Sequence, residues 1–207
     1  MALRAYVEGP TDVQVAIRVA QHAGLSLLKE NVFPMGGYGA IDTNLSEFYA
    51  MASKQHPVWV LRDCDPTAPN FKGQRFARCG GAVIKKLGVS NAGPGWCFRL
   101  ARHEAEAWLM ADAESFSEWL GIPLVSVPKE PDEILKAKHQ IVELARSSTK
   151  DHLSVGLVPR AGSTAEFGPR FEETLQQFVA GPWNPKRAAK RSHSLRRCLV
   201  ALRRLRQ

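Results

Sequence analysis

The chain has 207 residues, of which 44% are hydrophobic and 23% charged, and a formal net charge of +8. That length suits one domain or one domain with an appendage, and the hydrophobic share is enough for a sizeable core. No apolar run approaches the ~18 residues of a membrane span, and Met1-Ala2-Leu3-Arg4-Ala5 shows no signal-peptide pattern, so a cytoplasmic setting without membrane contact is expected.

The first predicted strand covers residues 2–7. A Gly9-Pro10 turn follows, and Thr11 is read as the cap of a helix reaching about Ala23, with Val13, Ala16, Ile17 and Ala20 at helical spacing. Residues 31–35 read as a second strand, Gly36-Gly37-Tyr38-Gly39 as a turn, and Leu45, Phe48, Tyr49 and Ala52 as one helix face. Pro57-Val58-Trp59-Val60-Leu61 is apolar on both faces, as a central parallel strand should be. A loop and a helix to about Leu87 lead to a strand at Trp96-Cys97-Phe98-Arg99-Leu100, and His103 to Met110 reads as a helix.

This alternation predicts an α/β fold with a mostly parallel sheet flanked by helices. A core over 1–122 is expected to carry a helical C-terminal extension over 123–207, packed on it and interrupted by Pro123, Pro128 and Pro131. The four cysteines (Cys64, Cys79, Cys97, Cys198) include no CxxC pair, which points to reduced thiols and away from zinc or a disulfide framework.

Charge is unevenly distributed. Residues 183–207 hold nine Lys or Arg and no acid, leaving nineteen basic against twenty acidic side chains in the rest. Within that tail a helix is predicted from Ser194, with Leu195, Leu199, Leu202 and Leu205 as its apolar stripe. Arg196, Arg197, Arg203 and Arg204 lie beside the stripe, as a phosphate-contacting surface or as an ordinary solvated face.

Two acidic clusters carry the chemistry. Glu8 closes the first strand and Asp12 follows in the first helical turn; Asp63 and Asp65 lie just beyond the central strand. Residues two apart in extended backbone point the same way, so Asp63 and Asp65 face one side and Cys64 the core. Like charges gathered at strand ends are costly unless a cation neutralises them. Oxygen-only ligands suit Mg²⁺ or Mn²⁺, ions that drive phosphodiester chemistry. Glu106, on the helix with Trp108 and Leu109, is a further candidate; its plain alternative is a surface glutamate paired with Arg99 or Arg102. No HxxxH, Ser-His-Asp or Walker pattern is present.

Glu8-Gly9-x-Thr11-Asp12 followed by Asp63-x-Asp65 resembles the TOPRIM domain of topoisomerases, primases, recombination proteins and OLD-family nucleases. The acid four residues after Glu8 is closest to the OLD branch. Glu106-Ala107-Trp108-Leu109-Met110-Ala111-Asp112 and Trp183-Asn184-Pro185 with Ser194-Leu195 resemble small stand-alone bacterial proteins of that branch. The resemblance implies a metal-dependent nuclease in which Glu8, Asp63 and Asp65 bind Mg²⁺ or Mn²⁺. It also implies that Asp12 helps hold a second ion, with a lysine, Lys136 or Lys138, assisting. It further implies a nucleic-acid substrate and an ABC-type ATPase partner, in genome maintenance or phage defence. Other readings are a non-catalytic TOPRIM binding module and an RNA-directed effector under ATPase control.

Overall fold

The computed structural model describes residues 2–64, 88 and 93–206. Asp65 and the helix predicted to end near Leu87 therefore lie outside the described residues. Among the described residues, four parallel strands form one sheet: β1 (Arg4–Val7), β2 (Val32–Pro34), β3 (Val58–Cys64) and β4 (Trp96–Arg102), in the order β2-β1-β3-β4. Helix α1 (Pro10–His22) joins β1 to β2, and α2 (Tyr38–Met51) joins β2 to β3. The arrangement is consistent with a Rossmann-like fold.

The two-residue period of the strands sorts the core into two layers. Ala5, Val7, Trp59, Leu61, Cys97 and Ala101 face α1 and the C-terminal helices; Tyr6, Val58, Val60, Cys64, Trp96 and Phe98 face α2. Strand β3 is buried along all seven residues, including two charged ones beyond the apolar run. Arg62 tolerates this because its guanidinium grips Asp42 of α2, with Nε–Oδ1 at 2.8 Å and Nη2–Oδ2 at 2.9 Å.

After β4 come α3 (Glu106–Ala111), α4 (Ala113–Leu120), α5 (Ala137–Ala145), α6 (Asp151–Leu157), α7 (Phe171–Ala180), α8 (Pro185–Ala188) and α9 (His193–Arg204). Helix α3 is buried on every side. Helices α7, α8 and α9 pack against α1, and α9 also covers β4. One hydrophobic cluster consequently runs from Leu3 to Leu202. Among the described residues no helix is long and apolar enough to cross a membrane. The described cysteines, Cys64, Cys97 and Cys198, are buried.

Three local expectations change. The helix predicted from His103 starts at Glu106, because β4 continues to Arg102 and His103 turns the chain at φ 63. Thr11 does not cap α1; Gly9 holds the N-cap and Thr11 is already helical. The basic helix begins at His193, one residue before the Ser194 start, capped by Ser192, whose hydroxyl oxygen accepts the N–H of Leu195 at 3.1 Å.

Candidate functional site

Glu8 is the first residue beyond β1, and Asp63 is the penultimate residue of β3. These strands are neighbours at the centre of the sheet, with β2 beyond β1 at one edge and β4 beyond β3 at the other. Open α/β sheets bind ligands at such a reversal of strand order, outside the C-terminal strand ends. The Glu8 carboxylate accepts the backbone N–H of Asp63 at 2.8 Å. The Glu8 carbonyl accepts the N–H groups of Gly36 and Gly37 at 2.9 and 3.1 Å. Those glycines hold φ values of 80 and 125, conformations a side chain would resist, so the Gly-Gly pair lets the turn fold over Glu8.

Asp12, in the first turn of α1, accepts the N–H of Gly9 at 2.9 Å through Oδ2. The cap and the site thus share one side chain, and the positive end of the helix favours its charge. Asp63 accepts the N–H of Ala105 at 2.9 Å. The left-handed turn at His103 delivers that N–H, an uncommon conformation for a residue other than glycine.

Glu106 is only 2% exposed, which removes the surface alternative; Arg102 pairs with Glu133 at 2.7 Å instead. Glu106 Oε1 lies 3.5 Å from Lys138 Nζ, and its buried Oε2 has no hydrogen-bond partner among the described residues. Lys138, in the first turn of α5, is anchored by its own backbone N–H, which donates to Glu104 at 2.8 Å. Lys136 is the N-cap of that helix and does not line the pocket, so Lys138 is the lysine brought to the acids.

Glu8, Asp12, Glu106 and Lys138 line one pocket of about 160 Å³, together with Gly9, Thr11, Gly37 and Glu172. Glu172, on α7, was not anticipated. The Thr11 hydroxyl donates to its carboxylate, and the Gln176 side chain donates to the Pro10 carbonyl at 3.2 Å, so α7 is tied to the first turn of α1. Nothing near Glu172 in the sequence marks it: α7 carries the acid-rich first turn of an ordinary amphipathic helix.

Burial dominates the electrostatics. It raises the Glu8 carboxyl to about 7, against the hydrogen bond from Asp63 and the charge of Arg62. Burial raises Glu106 to about 8, with Lys138 opposing. Asp12 is raised by burial, and Asp63 well above the carboxylate range by burial and then by Asp12, Glu106 and Glu8. Burial disfavours the Lys138 ammonium, but Glu106, Asp63, Glu104 and Asp12 outweigh it and hold its proton more firmly than usual.

Among the described residues no three His, Cys, Asp or Glu side chains already stand together as a metal-holding group. The donor chemistry nonetheless fits a hard divalent ion: every acid offers oxygen, the pocket walls carry several carboxylates against one lysine, and Glu106 Oε2 is buried without a partner.

Beyond Glu106, the segment Trp108–Asp112 is tied by hydrogen bonds to Trp183, Asn184 and Ser194. Trp183 Nε1 donates to the Trp108 carbonyl at 3.1 Å, and Trp108 Nε1 to the Ser194 hydroxyl at 2.7 Å. Asp112 accepts the Asn184 N–H at 2.8 Å and Arg187 at 2.8 and 2.9 Å. These contacts lock α8 and α9 onto α3. Arg196, Arg197, Arg203 and Arg204 are exposed on α9, while Leu195, Leu199 and Leu202 are buried beneath them. Compared with known protein families, curated proteins and solved structures, the chain gives no match.

Proposed function

We propose that the protein is a TOPRIM-type, Mg²⁺- or Mn²⁺-dependent nuclease of the OLD branch that hydrolyses phosphodiester bonds of DNA or RNA. The observation that carries this reading is the shared pocket: acids from the β1 end, α1 and α3 converge with Lys138, and the Asp63 N–H ties the end of β3 to Glu8. On this reading Glu8 and Asp63, with Asp65, hold one ion, and Asp12 and Glu106 hold a second. A metal ion held by these acids would supply an activated water and neutralise charge on the phosphate. Lys138 adds a fixed positive charge for the phosphoryl oxygens, and its pairing with Glu106 keeps its ammonium aimed into the pocket. The resemblance to the OLD branch adds an ABC-type ATPase partner, in cytoplasmic genome maintenance or phage defence, to the same proposal.

A non-catalytic TOPRIM binding module is the second reading. It is favoured by the Glu106–Lys138 pair at 3.5 Å, in which a lysine already balances one of the acids. Incubation of the purified protein with plasmid, linear DNA and tRNA, in Mg²⁺, Mn²⁺ or EDTA, separates the two. Cleavage that requires the metal and is lost in Glu106→Gln supports the nuclease; metal-independent binding without cleavage supports the module.

A further inference from the structure

A second hollow, of about 390 Å³, shares no lining residue with the acid pocket. It lies between the start of α4, the 3-10 turn Leu124–Ser126 and α8. Ala111, Ala113 and Val127 give it small apolar walls, and its size falls in the range of anchor and ligand pockets, roughly 300–1,000 Å³. Leu124 and Val125 stand at its edge, 52% and 86% exposed. A lone exposed aliphatic residue is ordinary; two adjacent ones beside an apolar hollow form a patch that burial would stabilise.

The charges around it are one-sided. Asp112 at the hollow is already neutralised by Arg187. Lys129, Lys190 and Arg191 remain, facing one further lining carboxylate, Glu114. Among the described residues none of these three cations forms an ion pair; Arg191 donates to the Pro128 carbonyl, which leaves its charge uncompensated.

We propose that this hollow docks an acidic segment of a partner protein. An apolar side chain of that segment seats between Leu124, Val125 and Val127, and its carboxylates meet Lys129 and Lys190. Nucleic acid fits less well, because the lining offers no aromatic ring on which a base could stack. A second copy of this chain fits less well too, since a two-fold contact would set the same cationic rim against itself. The proposal is independent of the nuclease reading, because it uses none of the acid-pocket residues.

The test is fluorescence anisotropy with a short labelled amphipathic peptide of Glu and Leu, a Lys/Leu counterpart and an unlabelled oligothymidylate competitor. The Glu/Leu peptide should bind and the Lys/Leu peptide should not. Val125→Asp, and separately Lys129→Glu with Lys190→Glu, should each weaken binding about ten-fold or more, as removal of an anchor or a charge pair does. All three side chains are exposed, so melting temperatures near the wild type would establish that the variants fold. Absence of Glu/Leu binding, equal binding of the Lys/Leu peptide, or binding unchanged in both variants would overturn the proposal. So would displacement by the oligothymidylate, which assigns the surface to phosphate. A sedimenting dimer dispersed by Val125→Asp would assign it to self-association instead.

Discussion

The Glu8 carboxylate accepts the backbone N–H of Asp63 at 2.8 Å, tying the end of β1 to the end of β3. Two acids 55 residues apart are thereby held together through a main-chain donor. A divalent cation is the natural neutraliser of such a pair, and Mn²⁺ should therefore raise the melting temperature of the wild type. A ligand at about 100 times its Kd stabilises the fold by about 2.7 kcal/mol, or roughly 5–10 °C for a chain of this size. Asp63→Asn keeps the amide oxygen that can accept Ala105 N–H while removing the charge. It should erase most of the Mn²⁺ shift and leave the metal-free melting temperature equal or higher, since like-charge repulsion is relieved. An undiminished Mn²⁺ shift in this variant would remove Asp63 from the metal site.

The raised carboxyls set a pH dependence with a definite sign. Glu8 and Glu106 titrate at about 7 and about 8 in the fold, against an ordinary value of 4.5. The folded state thus retains protons that the unfolded chain has already released. The stability these groups contribute is full below the ordinary value and is lost as pH rises through their folded values. Without metal, the melting temperature should fall between about pH 5 and about pH 9, by about 2–4 °C for each kcal/mol lost. Mn²⁺ should offset the fall most strongly at the alkaline end, where it no longer competes with protons. Glu106→Gln should flatten the metal-free profile; a slope identical to the wild type would show that Glu106 does not titrate in this range.

Glu172 links the C-terminal helices to the acid pocket. Glu172→Gln retains an oxygen to accept the Thr11 hydroxyl, so its stability should stay within about 0.5 kcal/mol of the wild type. If its charge contributes to the pocket, the same variant should bind Mn²⁺ more weakly. Thr11→Val removes the hydroxyl and should cost about 1 kcal/mol while leaving the carboxylate in place. Comparing the two by calorimetric Mn²⁺ titration separates charge from anchoring. Unchanged Mn²⁺ affinity in Glu172→Gln makes Glu172 a purely structural tie between α7 and α1.

The parts of this arrangement that were legible in the sequence are local ones. Val58-Trp59-Val60-Leu61 announces a central strand because its residues are apolar on both faces, and Glu8 and Asp63 follow directly from where such strands end. The extent of β3 was not legible, because Arg62 is tolerable in a buried strand only through Asp42, twenty residues earlier on another element. The false start of a helix at His103 has a similar cause: the left-handed turn there serves the Asp63–Ala105 contact, a tertiary demand that local spacing does not encode. Glu172 could not be read at all, since what makes it a pocket residue is the docking of α7 on α1.

The basic helix offers the sharpest test of a nucleic-acid partner. Leu195, Leu199 and Leu202 of α9 are buried, and Leu205 packs against the same core. That fixes the rotation of the helix and turns Arg196, Arg197, Arg203 and Arg204 to solvent. No acid stands on α9 to balance them, whereas a helix that is merely soluble usually mixes signs. If the four arginines touch phosphates, replacing all of them with glutamine should weaken duplex binding. It should also reduce the slope of log K against log salt by about 0.9 for each phosphate no longer neutralised, up to roughly 3.6 for all four. Glutamine keeps helix propensity and avoids placing acids at the C-terminal end of the helix, where they would oppose its dipole. Because the side chains are exposed, the melting temperature should hold nearly constant, so a change in slope reports binding and not unfolding. A variant that binds nucleic acid with the wild-type salt slope would assign this face of α9 to solvation alone.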